Sequence, residues 1–311
     1  MPASPLTPAI LQAFFNQLEL RFQQAYAKRT SYWKLFAELC PSSTETNIYS
    51  WLAELPDMRE WIGEKKALNL KARAYSLLNK NFENTLVIDR NKLADDQAGV
   101  YSRYPELQAD VADRWPELLV TQALIAGTTA IGYDGVAFFS ASHPVDVDNS
   151  AYGTYPNLYT STPLTQANYA ALKADMRSRR GESGISLQVK PTVLMVGPLL
   201  EQTGKQIVQA ENIAQVFGSN TAAAAPTNVF KGDTTLIVNE RLIDDTASAW
   251  YLLSTDRIKP LVFQEREAPH IIPLTDPTNP LVFNQRKYAW SLEGRGNAGY
   301  AQPFLASKAT P

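Results

Sequence analysis

Apolar residues recur at helical spacing through the middle of the first half of the chain. Val100, Tyr104, Leu107, Val111, Trp115 and Leu118 are separated by four, three, four, four and three positions. That spacing gathers them on one face of a 3.6-residue period. The pattern predicts a long helix within Lys92–Gly127, with Asp95 and Asp96 at its start and Gly127 at its C-cap. Roughly 30 helical residues span about 45 Å, the width of a domain. Pro105 predicts that the regular helix begins near it, since proline suits a first turn. Pro116, further in, predicts a kink or a division into two.

The same reading predicts the other elements. Residues 1 to 9 are proline-rich and read as an extended arm. Ile10, Leu11, Phe14, Phe15, Leu18, Phe22 and Tyr26 then mark an amphipathic helix, which needs a covering surface from its own domain or a neighbour. After a break at Pro41–Thr44, Leu68, Leu70, Ala72 and Ala74 alternate with polar residues, and Phe82–Asp89 forms a second strand candidate. The turn-prone Asn79–Asn81 lies between them. A hairpin carrying Trp51 and Trp61 without an obvious core wants a partner surface; a sheet within the domain core is the alternative. Thr128–Thr162 reads as loop with one apolar patch, Val136–Phe139. Thr165–Arg177 reads as a helix capped by Thr165, Ser186–Val196 as a strand, Leu199–Ala210 as a helix and Asn212–Pro226 as a surface loop. Strands follow at Thr235–Val238, Trp250–Leu253, Leu261–Phe263, Lys287–Leu292 and Gly299–Ala301.

Composition narrows the function. With 311 residues the chain can hold about two domains and a sizeable core. A net charge of -2 argues against a surface built to neutralise nucleic-acid phosphates. The single cysteine, Cys40, excludes an intramolecular disulfide and points to a reducing compartment. The N-terminal residues lack the basic start and apolar run of a signal peptide, and no apolar run approaches a membrane span.

The ordered motifs then carry a resemblance. Tyr49-Ser-Trp51-Leu52, Leu55-Pro-Asp-Met-Arg-Glu-Trp61-Ile62-Gly63, Tyr75-Ser76 and Asn79-Lys-Asn-Phe82-Glu83 come in sequence. Asp95-Asp-Gln97, Gly99-Val-Tyr101, Tyr133-Asp-Gly135, Phe138-Phe139 and His143-Pro-Val145 follow. Together they resemble the major head subunit of Mu-like bacteriophages over residues 45 to about 145, with agreement in pattern over the rest. That family is similar to tailed-phage capsid proteins of the Hong Kong 97-like α+β fold. The resemblance implies an N-terminal arm (1–44), an E-loop hairpin (45–91), a spine helix with a P-domain (92–200), an A-domain (201–275) and closing strands (276–311). It implies a protein that self-assembles into hexamers and pentamers of an icosahedral head enclosing double-stranded DNA. Its expected partners are itself, a scaffold, a head protease, a portal and weakly held packaged DNA, with no membrane and no cofactor. The head would be assembled in the host cytoplasm. The interface residues implied are Trp51, Trp61, Ile62, Glu64, Lys65 and Lys66 of the E-loop and Phe14, Phe15 and Phe22 of the arm. Some capsids of this fold crosslink an E-loop lysine; the Mu-like family does not imply that for Lys65 or Lys66, which read as solvated or ion-paired.

Catalytic chemistry finds little support in the sequence. Gly294-Arg-Gly296-Asn-Ala-Gly299 matches a dinucleotide fingerprint as a string, but too few residues follow for the helix and strand that site needs; a turn between strands is expected instead. Ser140-Ala-Ser142-His143-Pro-Val-Asp146 contains a nucleophile, a base and an orienter without a nucleophile elbow, so a turn-capping histidine is expected. His270 and Cys40 have no metal-ligand spacing. Arg177–Arg180 is a basic cluster at a helix end, with a DNA contact as its alternative. The rivals to a capsid subunit are an encapsulin-like compartment shell and a soluble two-domain hydrolase using His143.

Overall fold

The computed structural model describes residues 8–29, 31–52, 72–95, 100–181, 184–212 and 227–311. The proline-rich start, Trp61–Lys66 and nearly all of the Asn212–Pro226 loop lie outside the described residues. Helix α1 (Pro8–Tyr26) leads to β1 (Ala37–Pro41), β2 (Thr46–Leu52), β3 (Ala72–Leu78), β4 (Lys80–Asp89) and the short α2 (Arg90–Ala94). The long α3 (Tyr104–Ala126) follows, then β5 (His143–Pro144), β6 (Thr154–Tyr155) and β7 (Leu158–Tyr159). Next come α4 (Gln166–Ser178), β8 (Val193–Val196), α5 (Glu201–Val208), β9 (Thr235–Val238) and β10 (Trp250–Leu253). The chain ends with β11 (Leu261–Leu274), α6 (Pro280–Gln285), β12 (Lys287–Tyr300) and β13 (Ala306–Ala309).

Two main sheets form. One has the order β1-β11-β12-β4, with β1 parallel to β11 and the rest antiparallel. The other has the order β7-β13-β10-β8-β9, with parallel pairs at both ends. Both faces of the second sheet are covered, so β8 and β10 are buried at every position. Leu194, Val196, Trp250 and Leu252 face α4 and α5, while Val193, Met195, Tyr251 and Leu253 face a central core with Phe36, Leu124, Phe139 and Phe263. This two-sided burial explains why such strands read as continuous apolar runs. A third core joins α1 to α3 and the first sheet through Leu18, Phe22, Ala109, Ala112 and Trp290.

The structure corrects several expectations. The buried face of α3 is Pro105, Gln108, Ala109, Ala112, Pro116, Glu117, Leu119, Val120, Thr121 and Leu124, rotated away from the expected stripe. Leu107 is 58% and Val111 37% exposed. Alanines admit α1 closely, and the buried polar residues are each paired. Trp290 Nε1 donates to Gln108 Oε1 at 2.8 Å, Asn239 Nδ2 to Thr121 Oγ1 at 2.9 Å and Arg241 Nε to Glu117 Oε1 at 3.1 Å. Helix α3 starts with Pro105 in its first turn and runs through Pro116 as one helix. Asp89 acts as an N-cap, its side chain accepting from Asn91 N at the start of α2, whereas Asp95 stands at the C-cap of α2 and Asp96 lies outside the described residues. Gly127 is at the C-cap with φ -59, and it is glycine because a Cβ would lie 2.7 Å from the Phe139 ring. The strand expected at Ser186–Val196 is confined to β8.

The fingerprint-like glycines lie inside β12, not in a turn. Their missing side chains let aromatic rings lie on the sheet: a Cβ on Gly294 or Gly296 would come within 3.3 Å of Trp115, and one on Gly299 within 2.9 Å of Tyr75. At Gly296 a Cβ would also meet the Gln264 carbonyl oxygen at 2.5 Å. Gly296→Ala is therefore expected to cost about 1–3 kcal/mol through overpacking. Urea denaturation would show a lower midpoint at unchanged slope; a wild-type midpoint would mean the strands part there freely.

Candidate assembly surfaces

The hairpin β2–β3 belongs to neither main sheet. Its strands pair antiparallel from Thr46↔Leu78 to Leu52↔Ala72. The chain then passes through Asn79 straight into β4, so the expected turn at Asn79–Asn81 is absent, and β4 joins the core sheet beside β12. Asn79 is spent on tertiary bonds instead. Its Nδ2 donates to Ser42 Oγ at 2.9 Å and to the Thr44 carbonyl at 2.8 Å. Ser42 and Thr44 hydroxyls both donate to Asn47 Oδ1, at 3.0 and 2.8 Å.

Gln264, in the middle of β11 and 0% exposed, closes this network. Its Nε2 donates to Asn79 Oδ1 at 2.7 Å and to the Leu77 carbonyl at 3.1 Å, and its Oε1 accepts from Tyr49 OH at 2.8 Å. Burial, followed by the Cys40 thiol, pushes the Tyr49 phenol up to about 12, so it stays a donor at ordinary pH. Asn297 Nδ2 donates to the Leu78 carbonyl and Arg266 Nη1 to the Ser42 carbonyl. One root thus fixes both hairpin strands to the body, while Ile48 on β2 stays exposed.

A second surface lies along α3. The exposed Val111 continues into a groove of about 250 Å³ lined by Phe82, Arg114, Trp115, Leu118, Leu292 and Gly294. Trp115 packs at 5.3 Å from Phe82 and 5.4 Å from Phe263. Leu107 and Val111 of the expected stripe thus stand on the outer flank of α3, while Tyr104 and Trp115 pack inward.

The expected site residues are distributed unevenly. Trp51 stands in β2 opposite Arg73, three positions after Ile48. Trp61, Ile62, Glu64, Lys65 and Lys66 lie outside the described residues. Phe15 and Phe22 are buried in the chain's own third core, and Phe14 packs against it; the partners of Phe15 and Phe22 are therefore α3 and the first sheet of the same chain. Ile10 and Leu20 are the exposed apolar residues of α1. Sequence reasoning missed Gln264 and Asn79. The available signal was a polar residue interrupting the apolar run Leu261-Val-Phe-Gln264.

His143 forms a closed centre. It is 0% exposed, its Nδ1 faces Asp134 Oδ2 at 2.6 Å, and its Nε2 lies 3.2 Å from the Phe138 carbonyl and 3.1 Å from Asn157 Oδ1. The Asn157 amide donates through Nδ2 to the Phe138 and Pro303 carbonyls, so its oxygen faces the imidazole. Both ring nitrogens therefore face hydrogen-bonding partners inside the protein. The ring stacks on Tyr155 at 5.4 Å, and the Arg179 guanidinium lies 5.3 Å from the Tyr155 ring. Neither Ser140 nor Ser142 hydrogen-bonds to His143; the Ser140 hydroxyl accepts from Ser142 N at 3.2 Å. A base needs a free nitrogen and a reachable nucleophile. This imidazole has neither. Arg179 is also turned inward, donating to the Phe304 and Pro156 carbonyls and to Ser307 Oγ. Among the described residues no group of His, Cys, Asp or Glu is placed to hold a metal, and no helix is long and apolar enough to cross a membrane.

The described surface includes the hairpin β2–β3 and a groove along α3. The sequence profile of the family described as Mu-like prophage major head subunit gpT matches residues 11–162, 151–242 and 231–310, nearly the whole chain. The chain belongs to the Mu-like major head subunit family. It is a major capsid protein of a phage head, with the Hong Kong 97-like α+β fold. It is 26% identical over 299 residues to the Mu-like prophage FluMu major head subunit of Haemophilus influenzae, covering 95% of this chain and 71% of that protein. It is 28% identical over 258 residues to the major capsid protein of Escherichia phage Mu, covering 80% of each. The chain in the procapsid of bacteriophage JBD30 superposes with a TM-score of 0.58 at 26% identity, covering 98% of this chain and 76% of that one. The capsid reading stands; neither the compartment nor the hydrolase reading is favoured.

Proposed function

We propose that this head subunit works purely by assembly, as a non-enzymatic building block of hexamers and pentamers in an icosahedral shell around double-stranded DNA. The observation that carries the reading is the hairpin β2–β3, which pairs with neither main sheet and is tied to the body at its root. Tyr75 sits against Tyr300, at the end of β12, whereas the groove centres on Gly294. From Phe82 back to Ala72 the nearly continuous extended run covers roughly 30 Å. The described end of the hairpin, at the Leu52↔Ala72 pair, therefore lies away from the chain's own groove, which favours a second copy as its docking partner. Trp51, Trp61 and Ile62 are the anchors we assign to that contact, with Glu64, Lys65 and Lys66 at its polar rim. Residues 1–44 act as the arm, 45–91 as the E-loop region, and α3 as the spine. The P-domain completes 92–200, the A-domain occupies 201–275, and 276–311 return as closing strands. Scaffold, head protease and portal would attend assembly in the bacterial cytoplasm, and packaged DNA would meet the shell only through weak non-specific contacts.

The test is electron microscopy with size-exclusion chromatography of the purified chain, alone and with a co-expressed scaffold, across a concentration and salt series. Rings, tubes or closed shells are expected. A monomer under every condition, scaffold included, would overturn the reading, and a shell carrying a bound enzyme in place of DNA would redirect it.

A further inference from the structure

We infer that Gln264 is a positioning residue: it latches the β2–β3 hairpin to the body and thereby sets the direction in which the hairpin meets a neighbouring subunit. The inference rests on the assembly reading above. Three hydrogen bonds from one fully buried amide reach three different parts of the hairpin root: Tyr49 on β2, the Leu77 carbonyl on β3, and Asn79 at the junction with β4. Asn79 passes the restraint on to Ser42 and Thr44, which lead from β1 into β2. Gln264 itself is held in register between Cys40 of β1 and Asn297 of β12, so it belongs to the rigid sheet and not to the hairpin.

The arrangement differs from an apolar contact in a way that bears on its role. An apolar surface is non-directional, and a hairpin resting on one could swing while keeping its burial. Here a change in hairpin angle breaks bonds made to the buried side chains of Gln264 and Asn79, which are costly to leave unpaired. The latch therefore selects one projection. The Tyr75 ring lying over Gly299, where a Cβ would be 2.9 Å from it, restrains the same strand from the side.

The experiment uses the full chain with Gln264→Met, which keeps length and apolar volume but removes all three bonds, and Tyr49→Phe, which removes one. Amide hydrogen exchange and particle diameter are both read. For Gln264→Met we expect at least tenfold faster exchange of the Asn79 and Ser42 amides, whose acceptors are the Glu45 and Glu265 carbonyls. Rates in β8 and β10 should not change. Its particles should be irregular in diameter, with Tyr49→Phe intermediate in both readouts. Exchange that rises throughout the chain would reduce Gln264 to a general stabiliser and overturn the inference. Wild-type particle diameters in Gln264→Met would overturn it as well, while leaving the assembly reading intact. A wild-type chain that never assembles overturns the assembly reading instead, and the exchange measurement then decides alone whether Gln264 holds the hairpin.

Discussion

Replacing residues 53–71 by an Asn-Gly turn between Leu52 and Ala72 is expected to abolish particles while leaving the subunit folded. Leu52 and Ala72 are the last register partners of β2 and β3, so a two-residue turn closes the shortened hairpin without shifting its register. The root network of Gln264, Asn79, Ser42 and Asn47 lies at the other end of the strands and is untouched. With that network kept, unfolding free energy should change by about 2 kcal/mol or less, the scale of the loop-closure entropy for shortening such a connection. Assembly should respond very differently. Each contact in a shell is repeated around every capsomer, so losing the anchor residues of one contact removes many linked contacts at once. Size-exclusion and microscopy at the concentration where the full chain forms particles would read the effect. Particles of unchanged diameter from the shortened chain would remove the hairpin from the assembly mechanism.

Much of the architecture was legible in the sequence, for identifiable reasons. Helix α4 showed its period and its cap: Thr165 Oγ1 accepts from Asn168 N as its position suggested. Strand β10 is legible as an apolar run because both faces are covered, whereas β8 occupies only the end of the strand expected over Ser186–Val196. The length of α3 was visible, yet its buried face was not. Hydropathy weights Leu107 and Val111 above Gln108 and Thr121, whereas the fold buries the latter pair and satisfies them with Trp290 and Asn239. Only the tertiary partners reverse that ranking. The same limit hid the assembly latch. Asn79 is turn-forming by local chemistry, and its use as a donor to Ser42 depends on a residue far away in sequence. The glycines of β12 were read as a turn because their reason is space for the Trp115 and Tyr75 rings, which no local pattern announces.

His143→Ala should destabilise the subunit by about 1–3 kcal/mol, the cost of leaving a buried hydrogen-bonding group without its partner. The substitution takes the imidazole from the buried Asp134 carboxyl, which keeps Val136 N at 3.3 Å, and from Asn157 Oδ1 and the Phe138 carbonyl, which keep Ser140 N and Asn157 Nδ2. It also removes the ring stacked on Tyr155. These groups join the segment between α3 and α4 to the end of β12 and to β13: Asn157 reaches the Pro303 carbonyl, and Lys308 N donates to the Asn157 carbonyl at 2.8 Å. The loss should therefore spread into the five-stranded sheet instead of freeing one loop. A double-mutant cycle with Asp134→Ala, followed by denaturant unfolding, separates the pair from its surroundings. A coupling well above 1 kcal/mol is expected, with the two single variants each close to the double. Near-additive losses would mean the imidazole is held by its stacking and carbonyl contacts, with Asp134 a bystander. A hydrolase would instead lose turnover and keep its stability, because a catalytic histidine leaves room for its substrate and this one has none.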